Sequence, residues 1–182
     1  MTPIEPIFII AGAPASGKSS VARALLTYFE FGVHIPVDDI REFVTSGIAH
    51  PVGWTEETTR QFRLAEQAAC NMAAIYNDAE FAVVIDHCEA PKVLVEMVHR
   101  HLAGRRIVKV ILQPSLDENL MRNFSRSGKD FESNVLIDTI KRLNPMFRSD
   151  TPDFNGWHTL DTTEWSIAQT AAAIMELVAP SD

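Results

Sequence analysis

The segment Gly12-Ala13-Pro14-Ala15-Ser16-Gly17-Lys18-Ser19 satisfies G-x-x-x-x-G-K-[ST] at every fixed position. Each fixed residue has a physical task. Gly12 lets the chain leave a strand sharply, and Gly17 permits a backbone conformation that gathers successive N–H groups into a concave nest. The N-terminus of the following helix, with Ser20 in its first turn, adds unpaired N–H groups and the positive end of a dipole. Lys18 carries a full charge to the β- and γ-phosphates of a nucleotide, and the Ser19 hydroxyl can ligate Mg2+. The pattern's context also fits. The apolar run "IFIIAG" (7–12) precedes it, and Val21, Leu25, Leu26 and Phe29 follow at helical spacing. A glycine turn with an incidental lysine is the competing reading, and that context argues against it.

Further groups offer chemistry downstream. "PVDDIRE" presents Asp38 and Asp39, either of which could cap a helix beginning near Ile40, with Arg41 just beyond. "FAVVIDH" (81–87) ends an apolar strand on Asp86. Ligands of open parallel sheets collect at the strands' carboxyl ends, so this carboxylate is placed to hold Mg2+. Its alternatives are a cap for the helix starting at Pro91 or a bond to the phosphate loop. His87, Cys88 and Glu89 follow at once, but three adjacent residues cannot all point at one ion, so no zinc is assigned. His87 reads as a polar loop residue or as part of an acceptor pocket. "LMRNFSRSGKD" sets Arg122 and Arg126 four apart on one helix face, where they bind phosphate or pair with Asp117, Glu118 or Asp130. Gly128 offers a hinge beyond them.

The elements that must position these residues alternate. Strands are expected at 7–12, 33–38, 81–87, 105–112 and 157–163. Helices are expected at 19–31, 39–47, 55–76 with Thr55 as N-cap, 91–102, from about 116 to a break at Gly128, 132–143 ending before Pro145, and 165–178. Five strands separated by helices imply an α/β fold: a five-stranded parallel sheet with helices on both faces. A single domain spans 1–182.

Composition narrows the function. Lys and Arg total 16 against 24 Asp and Glu, a net charge of −8. That balance counts against general nucleic-acid binding, which draws its affinity from phosphate neutralisation by Lys and Arg. Cys70 and Cys88 offer no disulfide framework and read as small buried hydrophobes in a reducing cytoplasm. The opening "MTPIEPIFII" lacks a positive region before its apolar run, so no signal peptide is expected, and no run is long enough to span a membrane.

The chain lacks the guanine-reading N-K-x-D and the D-x-x-G switch of GTPases in suitable places. On the loop, on "PVDDIRE", on "FAVVIDH" and on "LMRNFSRSGKD" it resembles the small P-loop kinases. These are the gluconate, shikimate and nucleoside monophosphate kinases, chloramphenicol phosphotransferase, zeta-toxin-like kinases and 5′-hydroxyl polynucleotide kinases. The resemblance covers most of the chain and is sharp at the loop. It implies a P-loop three-layer sandwich that uses ATP and Mg2+ to phosphorylate a hydroxyl of a small molecule. In that light Gly12 to Ser20 cradle the phosphates, and Ser19 and Asp86 hold the metal. Asp38 faces the acceptor hydroxyl as general base, with Asp39 the alternative, and Arg41 grips the acceptor. The stretch 117–134 is a lid, in which Arg126 neutralises charge on the transferring phosphate and Arg122 binds the nucleotide. "HTLDTTEWS" is similar to the segment bordering adenine, although Thr162 or Thr163 would serve equally as an N-cap.

The acceptor site is expected in 42–66, with Trp54 and Arg60 as candidate contacts beside His50 and Arg63. Each also has a structural reading. Trp54 could staple the helix start, Arg60 and Arg63 could pair with Glu56, Glu57 or Glu66, and helical spacing puts Phe43 and Phe62 in the core. Two other functions remain open: a 5′-hydroxyl polynucleotide kinase, and an ATP-binding regulatory protein without an acceptor.

Overall fold

The computed structural model describes residues 5–51, 53–125, 136–149 and 156–178. The strands are β1 (Ile7–Ala11), β2 (Gly32–Pro36), β3 (Ala82–His87), β4 (Ile107–Leu112) and β5 (Trp157–Leu160). The helices are α1 (Lys18–Leu26), α2 (Val37–Arg41), α3 (Glu56–Asp78), α4 (Pro91–His101), α5 (Leu116–Phe124), α6 (Ile137–Ser149) and α7 (Ile167–Glu176). The strands form one parallel sheet in the order β2-β3-β1-β4-β5. All of β1 is buried, as expected of a central parallel strand whose residues are apolar on both faces.

Alternation along the strands sorts the core into two layers. Ile7, Ile9, Ile35, Val83 and Ile85 face Ala65, Ala69 and Ala73 of α3 and Leu94 of α4, with Phe147 of α6 in the same layer. Phe8, Ile10, Val84, Val110 and Leu112 face Val21, Ala22 and Leu25 of α1 and Ala171 and Ile174 of α7. Each fully buried Ile, Leu or Phe contributes about 1.5–3 kcal/mol of transfer free energy, which fixes the strand register. Consecutive residues of β3 therefore look to opposite sides. Asp86 shares the α1 face with Val84, and His87 shares the α3 face with Ile85.

Several boundaries depart from expectation, each for a local reason. The first helix stops at Leu26 because the amides of Thr27, Tyr28 and Phe29 take carbonyls three residues back, a tightened final turn. The second strand ends at Pro36 rather than at 38, so Asp38 lies in α2. That helix closes at Arg41, short of 47, and leaves Phe43 73% exposed instead of in the core. The sixth helix continues through Pro145. Buried Asn144 and Phe147 hold the chain on both sides of the proline, and Gln113 donates to the Asn144 carbonyl. The last helix is capped by Ser166, which accepts from the Gln169 amide in a capping box, so neither Thr162 nor Thr163 is its cap. Among the described residues, no helix is long and apolar enough to cross a membrane.

Candidate active site

The turn between β1 and α1 is shaped by residues in unusual backbone regions. Gly12 has φ +151°, and a Cβ there would stand 2.7 Å from the Leu112 carbonyl oxygen and 2.6 Å from Ser16 Oγ. Gly17 has φ +100° and forms the N-cap position of α1. Between them Ala15 has φ 61°, a conformation that costs an L-residue about 1–2 kcal/mol. Lys18 Nζ folds back to donate to the carbonyl oxygens of Gly12 and Ala13, both at 2.9 Å. Ser16 Oγ is buried without a partner. A loop with a curled-in ammonium, an orphaned hydroxyl and free helix N–H groups fits a polyphosphate.

Asp86 stands at the end of β3 beside this turn. Its carboxylate accepts from His34 Nε2 at 2.6 Å and from the Ser19 hydroxyl. Burial pushes the Asp86 carboxyl up. The His34 hydrogen bond, the Lys18 charge and the Ser19 hydroxyl outweigh it, so the group lies below the usual carboxylate range. The position preceding α4 is Ala90, with no side-chain cap, so Asp86 does not cap that helix. The hard oxygens of Ser19 and Asp86 are the donor types that Mg2+ takes.

A cleft of about 580 Å³ opens on the other side of the turn. Residues 15–21, Arg122, Thr162 and Trp165 are among those that line it. Arg122 reaches across three elements. Its Nε donates to Glu118 Oε1 at 2.7 Å, Nη1 to the Ser16 carbonyl at 3.3 Å and Nη2 to the Thr162 carbonyl at 2.6 Å. Of the roles read for Arg122, the pairing with Glu118 is the one this arrangement shows. Arg126 and Lys129, with Gly128 and Asp130, lie outside the described residues.

On the α3 face, Asp38 and Asp39 occupy the exposed first turn of α2. The N-cap position of α2 is Pro36, without a side-chain cap bond, so neither aspartate caps the helix. Arg41 is buried. Its Nη1 donates to the Ala49 carbonyl at 2.9 Å, its Cζ lies 4.9 Å from the Phe62 ring centroid, and its Nε has no partner. Trp54 stacks on Phe62 at 5.1 Å and donates from Nε1 to Thr59 Oγ1, which secures the start of α3 as a staple would. Thr55 caps that helix in a box with Thr58. Arg60 makes a two-pronged pair with Glu57 on the exposed face of α3.

His87 is buried, not a loop residue. Its Nε2 lies 3.2 Å from Glu66 Oε1, while Glu66 Oε2 accepts from Arg63 at 2.9 Å. Glu66, His87 and Glu89 bring one ligand atom each within 4.8 Å of one another, Glu66 of α3 joining two members of the His87-Cys88-Glu89 run. Sequence reading missed His34, Glu66 and Trp165 as site residues. Trp165 was within reach in "DTTEWS", whereas nothing local marks His34 or Glu66.

Cys88 follows Asp86 and His87 at the end of β3. Burial pushes its thiol up to about 11. Lys18 opposes that shift, and the charges of Asp38, Glu89 and Asp86 add to it.

Known proteins share this architecture. Shikimate kinase from Acinetobacter baumannii, solved in complex with shikimate, matches with a TM-score of 0.59 at 20% identity, over 96% of this chain and 93% of that one. A gluconokinase from Sinorhizobium meliloti matches at 0.62 and 16%, over 97% and 94%. The Mycobacterium tuberculosis APS kinase, solved with AMPPNP and APS, matches at 0.64 and 15%, over 97% and 98%. No curated protein sequence matches the chain. The family model for chloramphenicol phosphotransferase-like proteins matches residues 6–178, and the chain belongs to that phosphotransferase family.

Proposed function

We propose that the chain transfers the γ-phosphoryl group of ATP, in the presence of Mg2+, to a hydroxyl of a small-molecule acceptor. What supports this reading is the phosphate-cradling turn, with the Lys18 ammonium curled onto the Gly12 and Ala13 carbonyls and Ser16 Oγ left without a partner, in a chain of a phosphotransferase family. A protein that only bound nucleotide would need neither Asp38 nor Arg41.

In this mechanism the backbone of residues 12–20 cradles the phosphates. Lys18 exchanges its two carbonyl partners for phosphate oxygens. Ser19 and Asp86 hold the metal, which when bound offsets charge on the β- and γ-phosphates. The purine lies in the cleft beside Arg122 and Trp165. Asp38 accepts the proton of the acceptor hydroxyl as that oxygen bonds to the γ-phosphorus. The bond to the β–γ bridging oxygen breaks, and ADP leaves. Arg126 is assigned by its place in the lid, where a guanidinium would neutralise the transferring group. Arg41 and Trp54 border the acceptor space, and Arg60 lies at its margin. The net charge of −8 favours a small acceptor over a polynucleotide.

The test is ADP release measured across a panel of hydroxylated small molecules and a 5′-hydroxyl oligonucleotide. Acceptor-dependent turnover is expected with a small molecule and is expected to vanish in Lys18→Ala. Release that persists in Lys18→Ala, or that needs the oligonucleotide, contradicts the reading.

A further inference from the structure

His34 has no place in the mechanism above, yet its ring makes one of the closest polar contacts of the site. It lies on the edge strand β2, and Asp86 lies on β3. The backbone register pairs His34 with Val84 and Pro36 with Asp86. The imidazole thus leans along the sheet, over one residue pair, to bring Nε2 within 2.6 Å of Asp86 Oδ2. Both side chains are nearly enclosed, with 11% and 8% of their surface exposed.

The contact has a defined direction. An ionised carboxylate only accepts, so His34 Nε2 carries the hydrogen. Oδ2 is committed to that bond. Turning the carboxylate about its Cβ–Cγ axis would surrender a short charge-assisted bond in a site with little water to replace it. Strand pairing does not need the contact, because the main-chain ladder already joins β2 to β3 from Gly32 to Pro36. What the ring adds is a fixed carboxylate orientation beside the Ser19 hydroxyl.

We propose that His34 is a positioning residue for the divalent-metal site: by holding Asp86 Oδ2 it orients the carboxylate toward the cation shared with Ser19. The proposal rests on the reading that Asp86 and Ser19 hold the metal. Partners that orient a metal-binding side chain usually alter metal affinity 10–100-fold when removed. Imidazole is well suited, being a rigid ring that donates from Nε2 to a carboxylate on the neighbouring strand.

The experiment uses Mn2+ as the probe, titrated by electron paramagnetic resonance into the full chain with a non-hydrolysable ATP analogue. His34→Leu removes the donor and keeps the bulk, while His34→Gln keeps a donor. Expected is a roughly 10–100-fold weaker Mn2+ affinity in His34→Leu, a smaller loss in His34→Gln, and unchanged binding of the analogue without metal. Native Mn2+ affinity in His34→Leu overturns the proposal. Asp86→Asn separates the two levels. If it too binds Mn2+ as the native chain does, the metal reading itself fails; if it binds weakly while His34→Leu does not, only the positioning role fails. Imidazole 15N shifts of the native protein add a check independent of any variant's folding. They should show His34 as the Nε2–H tautomer, and the Nδ1–H tautomer overturns the proposal.

Discussion

Asn119 Nδ2 donates a 2.7 Å hydrogen bond to the carbonyl oxygen of Pro14, joining the first turns of α5 to the crown of the phosphate loop across 105 positions of sequence. The bond belongs to a buried amide chain. Asn119 Oδ1 accepts from Asn144 Nδ2 at 3.0 Å, Asn144 also donates to the Pro114 carbonyl, and Gln113 donates to the Asn144 carbonyl. The helix bearing Arg122 is thereby registered on the loop that Arg122 also touches.

Asn119→Leu should therefore act on both stability and nucleotide binding. It leaves the Pro14 carbonyl and one Asn144 donor without their partner, a loss of about 1–3 kcal/mol. Urea unfolding should show that loss, and the analogue's dissociation constant should rise severalfold. A stability loss with unchanged nucleotide affinity would mean the network supports the fold without shaping the loop.

Glu66 gives a pH signature. Burial alone would raise its carboxyl, but the hydrogen bond and charge of His87, followed by those of Arg63, bring it below the ordinary value. A depressed carboxyl binds its proton more weakly in the folded chain than in the unfolded one. Its stabilisation is full above the ordinary carboxylate pKa and is lost as pH falls through the folded value. The stability gap between the native chain and Glu66→Gln should be widest near neutrality and should narrow as pH falls below the ordinary carboxylate range. A gap that stays constant with pH refutes this coupling.

Cys88 reports on Asp38 without any turnover. Removing a nearby negative charge favours the thiolate, so Asp38→Asn should lower the Cys88 pKa from about 11. At fixed alkaline pH, iodoacetamide should alkylate Cys88 faster in Asp38→Asn than in the native chain. Cys70 should stay silent, being fully buried with its thiol pushed up to about 12. Equal rates would place Asp38 away from the centre of the site.

The phosphate loop was legible because its chemistry is local. Glycines with positive φ, a lysine and a hydroxyl must sit at fixed spacing between a strand and a helix, and Gly12 to Ser19 carry that spacing on the chain itself. The same holds for the parallel sheet, whose apolar strands are read one by one. His34, Glu66 and Asn119 were not legible because their partners are distant: Asp86 is 52 positions from His34, and His87 is 21 from Glu66. Only strand order and helix packing bring them together. Pro145 misled for a related reason. A proline ends an isolated helix, but buried side chains at Asn144 and Phe147 keep α6 continuous through it. The Arg60 guanidinium, a candidate acceptor contact by sequence, is engaged by Glu57 one turn away, which sequence spacing had offered as its alternative.

The most direct test of the proposed chemistry is single-turnover transfer of labelled γ-phosphate from ATP to the acceptor found in the panel, comparing the native chain with Asp38→Asn. Expected is a fall of about 10²–10⁴-fold in the transfer rate, with the ATP dissociation constant unchanged. Transfer at the native rate in Asp38→Asn would contradict the assignment of Asp38 as the base and the two-sided site built around it.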